Sequence, residues 1–495
     1  MKKNRKLLML TVLGLGLTLT STNVDVVSLQ VNRIIEKKNS VHNVEKFNKT
    51  IDFTNYTKGL QYDLSEDGTY YIVSDHGLSG ATNVVIPEKY KNLPVKEIAN
   101  DGFAYRQNMV SIAIPSTIEK IGLGAFNNSG FKEVFFNAKN CADFSAKNWV
   151  FYPRIDEKTG KIISNPIDFV VGRDVERLPN RLFFPMSLNP NLTPIVNSVS
   201  FVSDTRIKEI GDYTFYNLGI ENITLPSTLE KIGNFAFYGT KLESLIVPES
   251  LKEIGNHAFD SCVNLKTVNL NENLEKIEYG AFRFCKSLES ITINSKLKVL
   301  PKNLFKFCFA LKNVTLVGIE EIGDSVFEKC ESLTSFIYDD NLKTIGNRAF
   351  YDCKSLTSLT LKSNLKSIGN EAFYNLYNVN TINYECVELN DLNYGNATFK
   401  YLGKNTEVTL NISNKVKVLP SRLFFSSYED EGTPNIKKIN MFEGDLEIVK
   451  KNAFRGIKAN VTYYGKISTI SNVIFEYGND TFKTINCVKG ENWDE

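Results

Sequence analysis

The amino-acid sequence predicts a β-rich solenoid, in which coils of 22–23 residues, built from short strands and 3₁₀-like or helical turns, stack on one another. The main observation is a phenylalanine that recurs in register over eight units. An aliphatic residue lies five positions before each of them, and another follows most of them by six positions. A unit of this length cannot close a hydrophobic core alone, so the copies must stack and bury their apolar side chains together. The recurring residues are Phe215, Phe237, Phe259, Phe282, Phe305, Phe327, Phe350 and Phe373.

Each predicted coil divides into a strand, a turn and a second extended segment. In the unit Leu251–Leu270, Leu265 points inward and Thr267 outward, the alternation of a half-buried strand. Phe259, Cys262 and Leu265 are spaced by three residues, which favours one face of a short 3₁₀-like turn. The residue after the aliphatic position is glycine in some coils and proline in others. It therefore fits the first position of a helical turn rather than a left-handed conformation.

The start of the chain has a different character. Residues 1–22 combine a basic start with an apolar run of 13 residues, which is typical of a signal peptide and shorter than the ~20 residues that span a bilayer. An uncleaved N-terminal anchor is the alternative. Residues 23–57 are predicted to be a linker, and residues 58–97 a capping hairpin and the entry to the array.

The predicted array occupies residues 98–495. Its spacing loosens at about residues 131–205 and 376–450, which we interpret as longer, looped coils within one array. Two inserted domains are the alternative interpretation.

Composition excludes several classes of function. The 58 basic and 56 acidic residues leave a net charge of +2, too balanced for nucleic-acid binding by bulk electrostatics. The three histidines, His42, His76 and His257, are widely separated and offer little for histidine-dependent catalysis or a metal site. The sequence has no phosphate loop and no Gly-x-Ser-x-Gly motif, so we predict no enzyme and no cofactor. A hydrolase in the irregular coils is the weakest alternative, since two carboxylates would suffice.

The repeat resembles the BspA-type leucine-rich repeat of bacterial secreted and surface proteins. The resemblance is clearest in Leu342–Leu361, with the pattern Leu-x-x-Ile-Gly-x-x-Ala-Phe-x-x-Cys-x-x-Leu-x-x-Leu-x-Leu, and covers about residues 58–487. Leu60–Val73 is similar to the hairpin that often precedes such arrays. The family implies a right-handed leucine-rich repeat solenoid without enzymatic activity, secreted or on the cell surface.

The same resemblance implies adhesion to host matrix, plasma or cell-surface proteins. From the balanced charge we expect no nucleic-acid partner, and we expect no membrane insertion of the mature chain because no segment beyond residues 1–22 is long and apolar enough to cross a bilayer. The sequence contains no wall-sorting motif, so secretion and surface retention both stay open. A self-associating envelope scaffold is the alternative function. The oligomeric state is not predicted.

Five cysteines each lie three residues after a repeat phenylalanine and form a predicted column: Cys262, Cys285, Cys308, Cys330 and Cys353. Neighbouring Cα atoms at about 5 Å would permit disulfides, and a metal chain is conceivable. The column faces the predicted core, however, where a free cysteine behaves as a small hydrophobe. We interpret these residues as structural thiols.

The outward positions of the strands are the best candidate for binding a partner. Stacked, they would form a flat, uncharged face that holds an extended partner through many weak polar contacts. The alternative is that they only solvate the sheet. The aromatic segment 135–152 and the acidic segment 426–433 offer a rival surface, because long loops often carry specificity. The predicted face consists of Asn222, Thr224, Thr267, Asn269, Ser290, Thr292, Asn313, Thr315, Ser335, Ser358 and Thr360.

Overall fold

The computed structural model divides the chain into two units, residues 1–50 and 51–495, and every described residue belongs to the second. The predicted signal peptide and most of the predicted linker lie outside the described residues. The described ranges are 51–77, 80–156, 158–159, 161–184, 194–294, 296–393, 395, 397–425 and 432–488.

One side of each coil is a strand of three to seven residues, and these strands form parallel sheets that follow chain order. We call this series the long-strand face. Pairing is interrupted at residues 218–225 and between the strands at 335–338 and 358–361. The strands are Asn83–Val85, Ser111–Ile114, Glu133–Phe136, Ile167–Val171, Val196–Phe201, Ser244–Ile246, Thr267–Asn269, Ser290–Asn294, Asn313–Val317, Ser335–Tyr338, Ser358–Leu361, Thr381–Tyr384, Val408–Ile412, Ile436–Phe442, Asn460–Tyr464 and Ile485–Cys487.

The other side of each coil is a two-residue strand, which is the second extended segment that the sequence predicts. These strands also pair in parallel, and we call them the short-strand face. Their second residue is buried in most coils and their first is exposed or half-exposed. They are Lys120–Ile121, Arg177–Leu178, Glu209–Ile210, Lys231–Ile232, Glu253–Ile254, Lys276–Ile277, Val299–Leu300, Glu321–Ile322, Thr344–Ile345, Ser367–Ile368, Val418–Leu419, Ile448–Val449 and Ile474–Phe475.

A hairpin precedes the first coils. Gln61–Leu64 pairs antiparallel with Tyr71–Asp75, which in turn runs parallel to Leu93–Ile98. Leu93–Ile98 also pairs with Lys89–Tyr90 and leads into the short-strand face through Lys120–Ile121. The hairpin thus covers the first edge of that face.

The turn between the two faces has the hydrogen bonds of a 3₁₀-like turn. In one coil, the Ala258 N–H donates to the Gly255 carbonyl (3.3 Å), and the Cys262 N–H donates to the Phe259 carbonyl (3.3 Å). The backbone is not continuously helical, however, because His257 has a φ of 51°. Left-handed residues of this kind recur along the array, so the segment is a chain of separate turns.

The left-handed residues direct alternate N–H groups toward the next coil. The His257 N–H donates to the Tyr279 carbonyl (2.9 Å), and the Phe259 N–H donates to the Ala281 carbonyl (2.8 Å). The turns therefore form a ladder of hydrogen bonds between coils, in addition to the two strand series. This ladder satisfies backbone groups that would otherwise be buried without partners.

Glycine after the aliphatic position allows the coils to approach closely. Gly255 and Gly346 do not have positive φ, as the sequence predicts. A Cβ atom at Gly255 would lie 2.7 Å from the carbonyl carbon of Gly233, and one at Gly346 would lie 2.6 Å from that of Gly323. Glycine is present here because the backbones of neighbouring coils touch.

The core is a column of phenylalanine rings, one per coil, as the spacing predicts. The rings of Phe259 and Phe282 stack with centroids 5.3 Å apart and planes 3° apart. All eight recurring phenylalanines are fully buried. The predicted β-rich solenoid is thus confirmed, with its core between the two strand series.

In the irregular segments the column continues through residues that the spacing did not identify. Phe151 lies between Phe126 (5.4 Å) and Phe183 (5.2 Å). Phe399 lies between Phe373 (5.4 Å) and Phe424 (4.8 Å). Both long segments therefore contribute rings to the same core.

The register of the repeat changes near the end of the array. Phe475 follows the aliphatic Ile470 by five residues, which is the spacing of the repeat, but Ile470 ends the inserted α-helix Ile467–Ile470 and Phe475 belongs to a two-residue strand. Phe482, in the 3₁₀ helix Asp480–Lys483, contacts Phe454 instead (5.0 Å). The inserted helix lengthens the coil and moves the ring position. Within the described ranges, no helix has the length and apolar character needed to cross a membrane.

Candidate partner-binding surfaces

Two rows of the predicted face are aligned by strand pairing in the central coils. Thr267 pairs with Ser290, Ser290 with Asn313, and Asn313 with Ser335. Thr267, Ser290 and Asn313 are exposed, and Ser335 is half-exposed. The alternation of the strands therefore turns these polar side chains outward, and a continuous row lies across four coils.

The second row is less polar than the sequence suggests. Thr292 pairs with Thr315, and Thr315 with Ile337, whose side chain is 59% exposed. Val317, two residues beyond Thr315, is 41% exposed, and Ile246 is 43% exposed. The central coils thus present a polar row beside exposed aliphatic side chains, so the face is uncharged but not purely polar.

The ends of the predicted face are separated from its centre. Asn222 and Thr224 are exposed but lie in no strand, and Ile223 between them is only half-buried. Since Ile223 does not sink fully into the core, this segment is not held in the regular ladder. Ser358 and Thr360 belong to a different sheet. There the hydroxyl of Tyr338 donates to the Thr360 carbonyl (2.7 Å) at the interruption.

A row of amides in the C-terminal coils continues from Thr360, the last residue of the predicted face. Asn440 Nδ2 donates to Asn411 Oδ1 (2.9 Å), and Asn411 Nδ2 donates to Asn383 Oδ1 (3.0 Å). Asn383 Nδ2 reaches the Thr360 hydroxyl at 3.4 Å. We call these four residues the amide ladder. Strand pairing aligns them, and the side chains of all four are half-exposed.

Beside the amide ladder two aromatic side chains are exposed. Phe442 and Tyr464 pair across neighbouring strands and stack with centroids 5.3 Å apart and planes 17° apart. Phe442 is 44% exposed and forms one wall of an open cleft, the C-terminal cleft. The cleft is lined by Asn383, Glu385, Asn411, Ser413, Asn414 and Phe442, among other residues.

The predicted cysteine column is buried, and all five of its thiols are free. Each Sγ donates to the carbonyl of a repeat phenylalanine in the preceding coil. Cys308 donates to Phe282 (3.3 Å), and Cys353 donates to Phe327 (3.1 Å). Burial raises the pKa of every thiol in the column, and the pKa of Cys262 rises to about 12.

Two buried carboxylates connect neighbouring coils through ion pairs. Glu328 lies 3.0 Å from Lys306 Nζ and 3.1 Å from Arg348 Nη2. Burial alone would raise the pKa of Glu328, but hydrogen bonds from Arg348, Ser325 and Lys306 and the charge of Lys306 outweigh it, and this pKa is lowered. Because the carboxylate is paired with cations of its own chain, we assign it a structural role in the array.

The second carboxylate, Asp260, is fully buried. It bonds His257 Nδ1 (2.7 Å) and Arg283 Nε (2.8 Å). The ring of His257 stacks on that of Phe235 with centroids 4.8 Å apart, so this histidine is held within a packed turn. Among the residues that the structure describes, no group of three or more His, Cys, Asp or Glu side chains is placed to hold a metal ion.

The rival aromatic segment is mostly a local core. Phe136 and Val150 are fully buried and Phe151 is 5% exposed, whereas Trp149 is 43% exposed. Most of the rival acidic segment, residues 426–431, lies outside the described residues. Among the described residues of these two segments, Trp149 is the only large aromatic side chain that is exposed.

Solved structures of leucine-rich repeat proteins are similar to this chain. A leucine-rich repeat protein from Bacteroides ovatus is 21% identical, with 89% of this chain and 94% of that chain covered and a TM-score of 0.48. The pneumococcal vaccine antigen PcpA is 19% identical, with 88% and 98% covered and a TM-score of 0.36. A leucine rich cell surface protein from Faecalibacterium prausnitzii is 15% identical, with 85% and 97% covered and a TM-score of 0.31. No curated protein matches the chain.

The repeat itself identifies the family. The model of the BspA type leucine rich repeat region matches six copies, in residues 79–153, 208–333 and 320–429. These residues contain the eight recurring phenylalanines, the central part of the long-strand face and most of the amide ladder. Because the matches cover more than half of the sequence, the chain belongs to the BspA-type leucine-rich repeat family.

Proposed function

We propose that this chain is a secreted or surface-retained bacterial protein that binds another protein, without catalysis, through the long-strand face of its central coils. The observation that supports this most strongly is the polar row Thr267–Ser290–Asn313–Ser335 beside the exposed Val317 and Ile337. Protein interfaces combine apolar and polar contacts, and this face offers both.

The scaffold beneath this face favours binding. Val314, Leu316 and Ile291 lie between the outward residues and are buried in the core. Backbone hydrogen bonds of the strands and turns fix each coil against the next. The partner would therefore meet a preorganised surface, and little conformational entropy would be lost on association.

Secretion or surface location is supported by the membership of the family and by the signal-like residues 1–22. The partners that we propose are matrix, plasma or cell-surface proteins of a host or a neighbouring cell. Tests against such proteins should use the full mature chain.

Two valines provide a matched experiment. Val317, on the long-strand face, is 41% exposed, and Val299, on the short-strand face, is 47% exposed. We would immobilise the full chain, screen purified matrix and plasma proteins by surface plasmon resonance, and compare Val317→Glu with Val299→Glu. A carboxylate inside an interface should weaken binding about tenfold or more, because an unpaired buried charge costs at least 1.4 kcal/mol.

We expect Val317→Glu to lose binding and Val299→Glu to retain it. If both variants bind as the wild type does, the central long-strand face is not the binding surface. If no protein of the screen binds the wild type, the proposed adhesion to matrix and plasma proteins is contradicted.

Self-association is the second candidate, and one observation favours it. Ile485–Cys487 is the last described strand of its sheet and pairs with Asn460–Tyr464, while no other described strand covers its second edge. An uncovered edge is a template for pairing with another chain. Light scattering of the purified chain distinguishes the candidates, since a monomer at all concentrations contradicts the scaffold.

A further inference from the structure

We propose that the C-terminal cleft is a binding subsite for a neutral glycan, a function separate from protein binding on the central coils. The cleft combines an aromatic wall, Phe442, with planar amides at Asn383 and Asn411 and the carboxylate of Glu385.

The amide ladder leaves donors and acceptors side by side. Asn411 uses one Nδ2 hydrogen toward Asn383 and accepts one bond from Asn440. An amide has two N–H donors and two acceptor lone pairs, so Asn411 retains one of each. A hydroxyl group both donates and accepts, and neighbouring hydroxyls of a sugar ring can therefore satisfy such a row.

The ladder also fixes where the free groups are. Asn383 accepts a hydrogen bond from Asn411 at 3.0 Å, and Asn411 accepts one from Asn440 at 2.9 Å, so a residue of the next coil holds each of them. Their side chains are half-exposed, so they need little further desolvation or ordering when a ligand binds.

Phe442 supplies the apolar contact. Tyr464 stacks on it from one side, on the strand that follows in the sheet. Asn411 and Ser413, which also line the cleft, belong to the coil on the opposite side. The ring therefore presents a face to the cleft. The C–H groups of a pyranose can pack against it, because the face of an aromatic ring carries partial negative charge and attracts partially positive hydrogens.

Coil spacing favours a glycan over an extended peptide. Neighbouring parallel strands lie about 4.8 Å apart, so the ladder presents an amide at that interval. An extended peptide directs equivalent groups to one face only every about 6.6 Å, twice its rise per residue. A peptide would fall out of register with the ladder within a few coils, whereas hydroxyls surround a sugar ring on all edges.

The charge of the lining selects among glycans. Glu385 is the only charged side chain among the lining residues, and it forms no ion pair with any described residue. Its carboxylate can accept hydrogen bonds from hydroxyls, but it repels carboxylated or sulfated sugars. The subsite therefore takes neutral sugars.

Saturation-transfer NMR on the full chain tests the proposal. The probes are cellohexaose, mannohexaose and chitohexaose, with hexagalacturonate as the acidic comparison. We expect transfer to at least one neutral probe and at least tenfold weaker binding of the uronate. Absence of transfer to all three neutral probes, or stronger binding of the uronate, would overturn the proposal.

Variants locate the binding. Phe442→Ala should weaken binding of the neutral probe about tenfold or more, because the contact between the sugar C–H groups and the ring is lost. Phe442→Tyr keeps an aromatic ring and should retain wild-type affinity. Tyr477→Ala is the control, because Tyr477 is 81% exposed and does not line the cleft. Circular dichroism and the thermal midpoint establish that each variant is folded. If a folded Phe442→Ala binds as the wild type does, the glycan is not bound in this cleft.

Discussion

The central coils, from Phe259 to Phe373, and the C-terminal coils, from Phe399 to Phe454, differ in how strictly they repeat. In the central group, successive rings are inclined by 3° to 26°. In the C-terminal group the angles are 43° and 34°, and the coils are longer. The central coils present an outward row that is continuous from Thr267 to Ser335, whereas the longer coils carry most of the amide ladder and the C-terminal cleft. Coils of constant length repeat the same surface residues, whereas a change of coil length creates a distinct site at one place in the array.

The largest expected effect tests the core side of this comparison. Phe305→Ala removes a fully buried ring between Phe282 and Phe327, and we expect it to cost about 3–5 kcal/mol in the free energy of unfolding. Phe424→Ala should cost less, because its ring is packed less regularly between its neighbours and the longer coils can relax into the cavity. Urea unfolding followed by circular dichroism measures both.

The half-exposed Phe309 provides the control, and Phe309→Ala should have a small effect. If Phe424→Ala destabilises the chain as much as Phe305→Ala does, the difference in ring geometry has no energetic meaning.

The next effect concerns the ion pairs between central coils. Glu328→Gln is expected to destabilise the chain by about 1.5–3 kcal/mol at neutral pH, the range for hydrogen bonds to charged groups. Because the pKa of Glu328 is lowered in the folded state, its contribution is present above the unfolded-state pKa and is lost as pH falls through the folded-state value. Wild type and variant should therefore converge in stability in acid.

Urea midpoints at neutral pH and in acid measure this convergence. Glu320→Gln is the matched control, since Glu320 pairs with Lys343 at the surface and should have a smaller effect. A constant difference between wild type and Glu328→Gln at both pH values would contradict the role of the charge.

A smaller effect is expected in the cysteine column. Cys308→Ala removes the sulfur and its bond to the Phe282 carbonyl, and we expect a loss of about 1–2 kcal/mol. The C-terminal part of the core has Leu402 and Ile457 at the same position, three residues after Phe399 and Phe454, so the thiol is one of several solutions there. A loss above that of Phe305→Ala would contradict the structural interpretation.

Thiol titration tests the same interpretation without substitution. In the folded, non-reduced chain only the exposed Cys487 should react quickly, because burial keeps the column thiols protonated. After unfolding without reductant, all eight cysteines should react. A count lower by two or more would reveal a disulfide.

The smallest expected effect is on the C-terminal cleft. Phe442→Ala should change the free energy of unfolding by less than about 1 kcal/mol, because the ring is nearly half-exposed and contacts mainly Tyr464. Thermal unfolding measures it. A loss as large as that of Phe305→Ala would show that this ring belongs to the core and not to a surface.

The core was predictable from sequence wherever its coils keep one length. Phe259 and Cys262 recur with their aliphatic partners, so three columns identify them together. The spacing did not identify Phe151 and Phe399 as core residues because they follow their preceding core rings by 25 and 26 residues. It did not identify Phe482 because the helix at 467–470 lengthens the coil before it.

The candidate surfaces were harder to predict for the same reason. The row through Thr267 and Ser290 follows a constant period, whereas Asn383, Asn411 and Asn440 are 28 and 29 residues apart. Comparing the strands themselves would have found the ladder, since each amide lies between two buried residues. The exposed Phe442 gave no signal, because a single aromatic residue in a strand is more often buried.

The ladder of hydrogen bonds between turns has a consequence for how such chains change over generations. The regular coils offer the same backbone donors and acceptors to their neighbours, as His257 and Phe259 do toward Tyr279 and Ala281. Duplication or loss of the gene segment for one whole coil therefore leaves no backbone group unsatisfied. Partial insertions must instead loop out between the strands. Array length can vary freely among descendants, and new surfaces arise where an insertion is not a whole coil.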